Sequence, residues 1–158
     1  MLNRYLIMLL VLLLSGLTQA VPFTPAPVEQ GQHQQHQASS VKPEELPVIK
    51  PAGKKNELPD GCHFIWEFNQ TPKMGTVILR VQIFDQNNKQ ISTLKIEGRS
   101  DMPSMRGHHD SGDVAFKLNH QGVYLLPVNI VMPGEWEIIL TFKEGDRVIY
   151  RGRILFRV

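Results

Sequence analysis

Between Gly61 and Val158 the hydrophobic positions recur at every second residue, the period of a half-buried β-strand. His63 to Phe68 sets Phe64, Trp66 and Phe68 on one face, and Thr76 to Phe84 alternates Val77, Leu79, Val81 and Ile83 against Arg80 and Gln82. Asp85-Gln86-Asn87-Asn88-Lys89 predicts a turn, and Ile91 to Glu97 a strand with Leu94 and Ile96 inward. Val114, Phe116 and Leu118 mark a short strand, followed by the turn Asn119-His120-Gln121-Gly122 and an extended run from Val123 to Ile130. Met132-Pro133-Gly134 turns into Glu135–Lys143, where Trp136, Ile138, Leu140 and Phe142 share a face. Glu144-Gly145-Asp146 is a hairpin signal, and Arg147 to Val158 ends the pattern. No segment sustains a helical period. About seven short strands joined by Gly, Pro and Asn turns predict an all-β fold, an immunoglobulin-like sandwich of two packed sheets. The Cys…Trp…Cys spacing of antibody-type domains is absent, so only the architecture is implied, and Trp66 and Trp136 are expected in its core.

The N-terminal third breaks this alternation in two ways. Tyr5 to Leu14 is an unbroken apolar run behind Arg4, and Thr18-Gln19-Ala20 offers a cleavage site after Ala20. Residues 1–20 therefore read as a signal peptide, directing export to a periplasm or an equivalent extracytoplasmic space. The run is short for a membrane span, although an uncleaved N-terminal anchor is the alternative. Residues 21–60 then carry prolines at 22, 25, 27, 43, 47, 51 and 59 among Gln, Ser and charged residues. A segment so poor in apolar surface is expected to be a disordered, locally polyproline-like linker. His33 and His36 in its Gln-rich centre fall short of a metal-binding histidine tract. The organisation expected is a signal peptide over 1–20, a linker over 21–60 and a β-sandwich over 61–158.

Charge and cysteine content narrow the function classes. Removing residues 1–20 takes away Arg4 and no acid, so the net charge falls from +2 to +1. That near-neutral balance lacks the basic footprint of a nucleic-acid partner. Cys62 is the only cysteine, so no intrachain disulfide can form and burial alone must hold the fold. No nucleophile, base and orienter stand at a recognisable spacing, which leaves an enzymatic role without support.

One stretch carries chemistry. Asp101-Met102-Pro103-Ser104-Met105-Arg106-Gly107-His108-His109-Asp110 places two thioethers and two adjacent imidazoles within eight residues, between β-patterned segments. Thioether sulfur is a soft ligand and imidazole a borderline one, a set that suits copper better than magnesium or calcium. A flexible loop would let Met102, Met105 and one of His108 and His109 surround a Cu(I) ion. Alternatively, the methionines plug one end of the sandwich while the histidines are merely solvated.

Two further features are weaker. Cys62 and His63 are adjacent at the start of a strand, so their side chains project oppositely and do not share one centre. Arg151, Arg153 and Arg157 on the last strand read as a charged edge that resists aggregation, or as a docking stripe for an acidic partner.

Met102-Pro-x-Met105 with nearby histidines, then Gly122-x-Tyr124, Val128 and Met132-Pro133-Gly134-x-Trp136-Glu137, together resemble the YtkA-like and FixH-like family of exported β-sandwich domains. The resemblance spans about residues 62–158 and is densest from Met102 to Phe142. It implies a copper carrier, or an assembly factor that supplies copper to a haem–copper oxidase, with Met102, Met105, His108 and His109 as metal ligands. FixH-like chains usually keep a membrane anchor, whereas this leader is expected to be cleaved. The rival expectation, from another class, is a metal-free module that docks on a periplasmic or membrane complex.

Overall fold

The computed structural model describes residues 45–158. The leader and the linker up to residue 44 lie outside the described residues. Ten strands form in chain order: β1 (Asn56–Glu57), β2 (His63–Phe68), β3 (Gly75–Phe84), β4 (Gln90–Ile91), β5 (Lys95–Asp101), β6 (Val114–Ala115), β7 (Lys117–Leu118), β8 (Tyr124–Ile130), β9 (Glu135–Glu144) and β10 (Arg147–Arg157). They make two antiparallel sheets. One runs β1-β2-β3-β8-β7, with β4 also paired to β3; the other runs β10-β9-β5-β6. The fold is the two-sheet all-β sandwich that the alternation predicts.

The alternating residues of β2, β3 and β8 face those of β9 and β10 to form the core. Phe64, Val77, Leu79, Val81, Ile83, Trp136, Ile138, Leu140 and Phe142 are all essentially removed from solvent. Phe64 and Phe142 meet across the sheets with ring centroids 4.6 Å apart, a separation at which aromatic pairs add stability beyond their buried area. With no disulfide among the described residues, this apolar burial is what holds the sandwich.

Two stretches that read as single strands are each split between the sheets. Gln90–Ile91 pairs with β3 in one sheet, whereas Lys95–Asp101 pairs with β9 in the other. Likewise, Val114–Ala115 joins β5 and Lys117–Leu118 joins β8. The chain thus turns two corners of the sandwich, as strands that switch sheets do. At the first corner the Tyr124 hydroxyl donates to the Leu94 carbonyl at 2.6 Å.

The packed region also begins earlier than expected. Leu46, Ile49 and Leu58 are buried, and Asn56 and Glu57 form β1 against Phe64 and His63. Val48 makes a parallel bridge with Arg153: the Arg153 N–H donates to Pro47 O and the Ile49 N–H to Arg153 O, both at 2.9 Å. The Trp66 indole N–H then takes the Lys50 carbonyl at 2.8 Å. Residues 45–60 are therefore a strap on the sandwich, which corrects the expectation of a disordered linker reaching residue 60.

Candidate functional site

The Met/His segment joins β5 to β6 at one end of the sandwich. It opens with a single 3-10 turn, Pro103–Met105, whose start at proline costs no hydrogen bond because that N–H would be unpaired anyway. The Met105 N–H donates to Met102 O at 2.9 Å, and the His108 N–H to Met105 O at 3.1 Å. These two successive turns coil residues 102–108 tightly.

Carboxylates then tie the coil to the sheet. Asp101 is buried, and its two oxygens accept the N–H groups of Met102 at 2.8 Å and Gly107 at 3.0 Å. Glu137 of β9, only 1 % exposed, is the cross-strand neighbour of Asp101. Arg106 reaches over it, Nη1 donating to Oε1 at 2.5 Å. A buried carboxylate without a cation would be costly, so this contact holds the turn against the sheet. On the return limb Asp110 accepts Arg99 Nε at 2.8 Å and the Gly112 N–H at 2.8 Å. The hydrogen bond from Arg99 holds the Asp110 carboxyl below its ordinary value, and the same contact raises Arg99. Ser100 and Ser111 close the loop with two 2.9 Å bonds, the Ser100 N–H to Ser111 Oγ and the Ser111 N–H to Ser100 O. The segment expected to be flexible is a laced loop.

The four residues expected to bind metal are divided by this lacing. Met102 is only 3 % exposed and belongs to the core. Its Cε lies 2.7 Å from where a Cβ at position 134 would stand, so Gly134, whose φ of 145° itself favours glycine, leaves the thioether end room without a shift. Met105, one helical step later, is 39 % exposed. His108 is exposed and His109 half-buried. His109 lies beside the Trp136 ring, with centroids 6.2 Å apart, and lines a cleft of about 330 Å³ with Ser100, Asp110, Ser111, Asn129 and Trp136. Met105 and His108 are thus exposed on the coil, His109 stands just beyond it at the cleft, and Met102 turns into the core. Among the described residues no three His, Cys, Asp or Glu side chains gather into a metal-holding group. A site here depends on thioether together with imidazole.

The other candidates take different places. Cys62 is half-buried against the core, while His63 is buried on the outer side of β2 and stacks on Phe84 at 5.2 Å. Burial, reinforced by Lys55, lowers the His63 pKa, and its Nδ1 has no partner among the described residues. Arg153 lies where the strap crosses β10. Arg106 and Glu137 escaped the sequence reading because an exposed-looking arginine in a loop and an outward-facing glutamate in a strand carry no local sign of pairing.

The family model described as YtkA-like matches residues 61–141. The chain belongs to the YtkA-like family. The match covers the Met102–Asp110 segment and the Gly122-x-Tyr124 and Gly134-x-Trp136 elements. No curated protein matches this chain. Among solved structures, the crystal structure of "as isolated" FetP from uropathogenic E. coli strain F11, recombinantly expressed in the periplasm of E. coli BL21(DE3), is similar at 13 % identity and a TM-score of 0.47. That likeness covers 69 % of this chain and 95 % of the FetP chain. Among the described residues no helix is long and apolar enough to cross a membrane.

Proposed function

We propose that this YtkA-like protein is an exported, non-catalytic copper carrier or oxidase-assembly factor that takes copper as cargo on the Met105–His109 coil. The observation that carries the reading is the division of the four donors. Met105 and His108 are exposed on the coil and His109 follows directly at the cleft, whereas Met102 anchors the coil in the core. One soft and two borderline donors suit Cu(I), and the imidazoles also accommodate Cu(II). Zinc competes at the histidines but gains little from a thioether. The half-exposed position favours exchange of the ion with a partner, as a carrier requires. Lacing by Asp101, Arg106 and Asp110 holds the segment that carries these donors and leaves Met105 and His108 exposed.

Titration of the purified protein with Cu(I) against a competing chelator tests this reading. Wild type and Met102→Leu should bind one equivalent alike, and Met105→Ala with His108→Ala should lose it. Equal, weak uptake by all three proteins would end the copper reading.

A further inference from the structure

β10 lies at the margin of the four-stranded sheet, and its outer side is only partly covered. In an antiparallel ladder, successive residues direct their backbone groups alternately to the two sides. The phase is set at the end of the strand, where Gly134 and Val158 exchange bonds of 2.8 and 3.0 Å across the β9–β10 ladder. Even-numbered residues of this limb thus face β9, and Arg153, Leu155 and Arg157 face outward. The strap satisfies Arg153 from Pro47 and Ile49. It then leaves the edge, because the Lys50 N–H donates to Asn56 Oδ1 and the Lys50 carbonyl accepts from Trp66. Among the described residues the bridge ends at Val48 and Arg153, so the N–H and C=O of Leu155 and Arg157 meet no strand.

The side chains around this open edge have a definite character. Leu155 is 47 % exposed. With Pro103, Glu135, Arg153, Phe156 and Arg157 it lines a cleft of about 360 Å³. Two guanidinium groups outnumber the one carboxylate there. The Nε of Arg153 is buried and has no acceptor among the described residues, a deficit that an incoming acceptor would relieve. Charged edges discourage pairing with a second copy, since β10 against β10 would set arginine near arginine. The same charges favour an edge of opposite sign.

We propose that the β10 edge at Leu155–Arg157 is a docking site for an extended, acidic segment of a partner protein, added as a further strand beyond the strap. Backbone bonds to Leu155 and Arg157 supply affinity; the guanidinium groups, on one face of the strand, select acidic residues at every second position, and half-buried Phe156 on the other face takes the apolar residues between them. This surface is independent of the copper coil, so either can fail alone.

The test uses the full chain and two capped synthetic peptides, one alternating valine with glutamate and its twin alternating valine with lysine. Backbone NMR shifts and amide exchange are followed in wild type and in Arg157→Glu, a change at an exposed position that leaves the core intact. The glutamate peptide should slow exchange at the Leu155 and Arg157 amides, and should bind about tenfold more weakly to Arg157→Glu. The lysine peptide should not bind. Equal binding of both peptides, protection confined to other strands, or unchanged affinity in Arg157→Glu would overturn the proposal. So would absence of binding, or uptake by phosphatidylglycerol vesicles in place of the peptide.

Discussion

The strap from Glu45 to Asp60 and the loop from Asp101 to Asp113 are alike in composition and unlike in what holds them. Both mix proline and glycine with several charged residues, and both lie against the sandwich. The strap is held by buried Leu46, Ile49 and Leu58 together with a few backbone bonds. The loop buries one large apolar side chain, Met102, and is otherwise held by Asp101, Asp110 and the Arg106–Glu137 pair. Burial of apolar surface is not screened by salt and does not depend on the exact position of a donor. A carboxylate lattice fixes particular backbone N–H groups, and so can present side chains at set places. On the proposed reading, that difference is why the candidate donors sit on the loop, while the strap only covers an edge.

Substitution should separate the two regions. Ile49→Ala removes a buried apolar side chain and should cost about 2–4 kcal/mol in urea denaturation, with little dependence on salt. Arg106→Ala should cost less, roughly 2 kcal/mol, because Glu137 loses its cation while water reaches part of the vacated space. Adding Glu137→Leu to Arg106→Ala should recover most of that loss. If the double variant is no more stable than the single one, Arg106 acts through packing and the contrast between the regions weakens.

The pH axis should sharpen the contrast, with a smaller effect. His63, 7 % exposed and paired with Glu57 at the strap, has its pKa lowered from 6.5 by burial first and Lys55 second; Glu57 and Asp85 oppose the shift. Below 6.5 the unfolded chain binds the proton more readily than the folded one. Stability from this group is therefore complete above about pH 6.5 and falls as the solution is acidified through the lowered pKa. Asp110 in the loop is lowered from 3.8 by its bond to Arg99, so its contribution is complete above that value and is lost only in stronger acid. Denaturation midpoints should accordingly drop as the pH falls below about 6.5 in wild type and change less in His63→Phe. A parallel fall in both proteins would remove His63 from the account.

The β-sandwich was legible because alternation is a local signal, and each long strand carries it whole. Met132-Pro133-Gly134 was legible as a turn from its residue types, and Trp136 as core from the alternation that follows it. The corners at Ser92–Leu94 and Phe116 were hidden because alternation continues while the chain changes sheets. The strap was hidden too, since Leu46, Ile49 and Leu58 have no period and their partners are far along the chain. In the Met/His segment the chemical types were visible, but their direction was not. Met102 turns inward because Asp101 fixes its N–H and Gly134 leaves it room. Arg106 is committed to Glu137, a contact that only the folded sheet creates.

The division between Met102 and Met105 is the central claim, and X-ray absorption of the Cu(I)-loaded protein tests it most directly. The ion should show one sulfur and two nitrogen scatterers, with the sulfur signal lost in Met105→Ala and kept in Met102→Leu. A spectrum with two sulfurs, or a sulfur signal that disappears with Met102, would place the buried thioether on the metal and contradict the account.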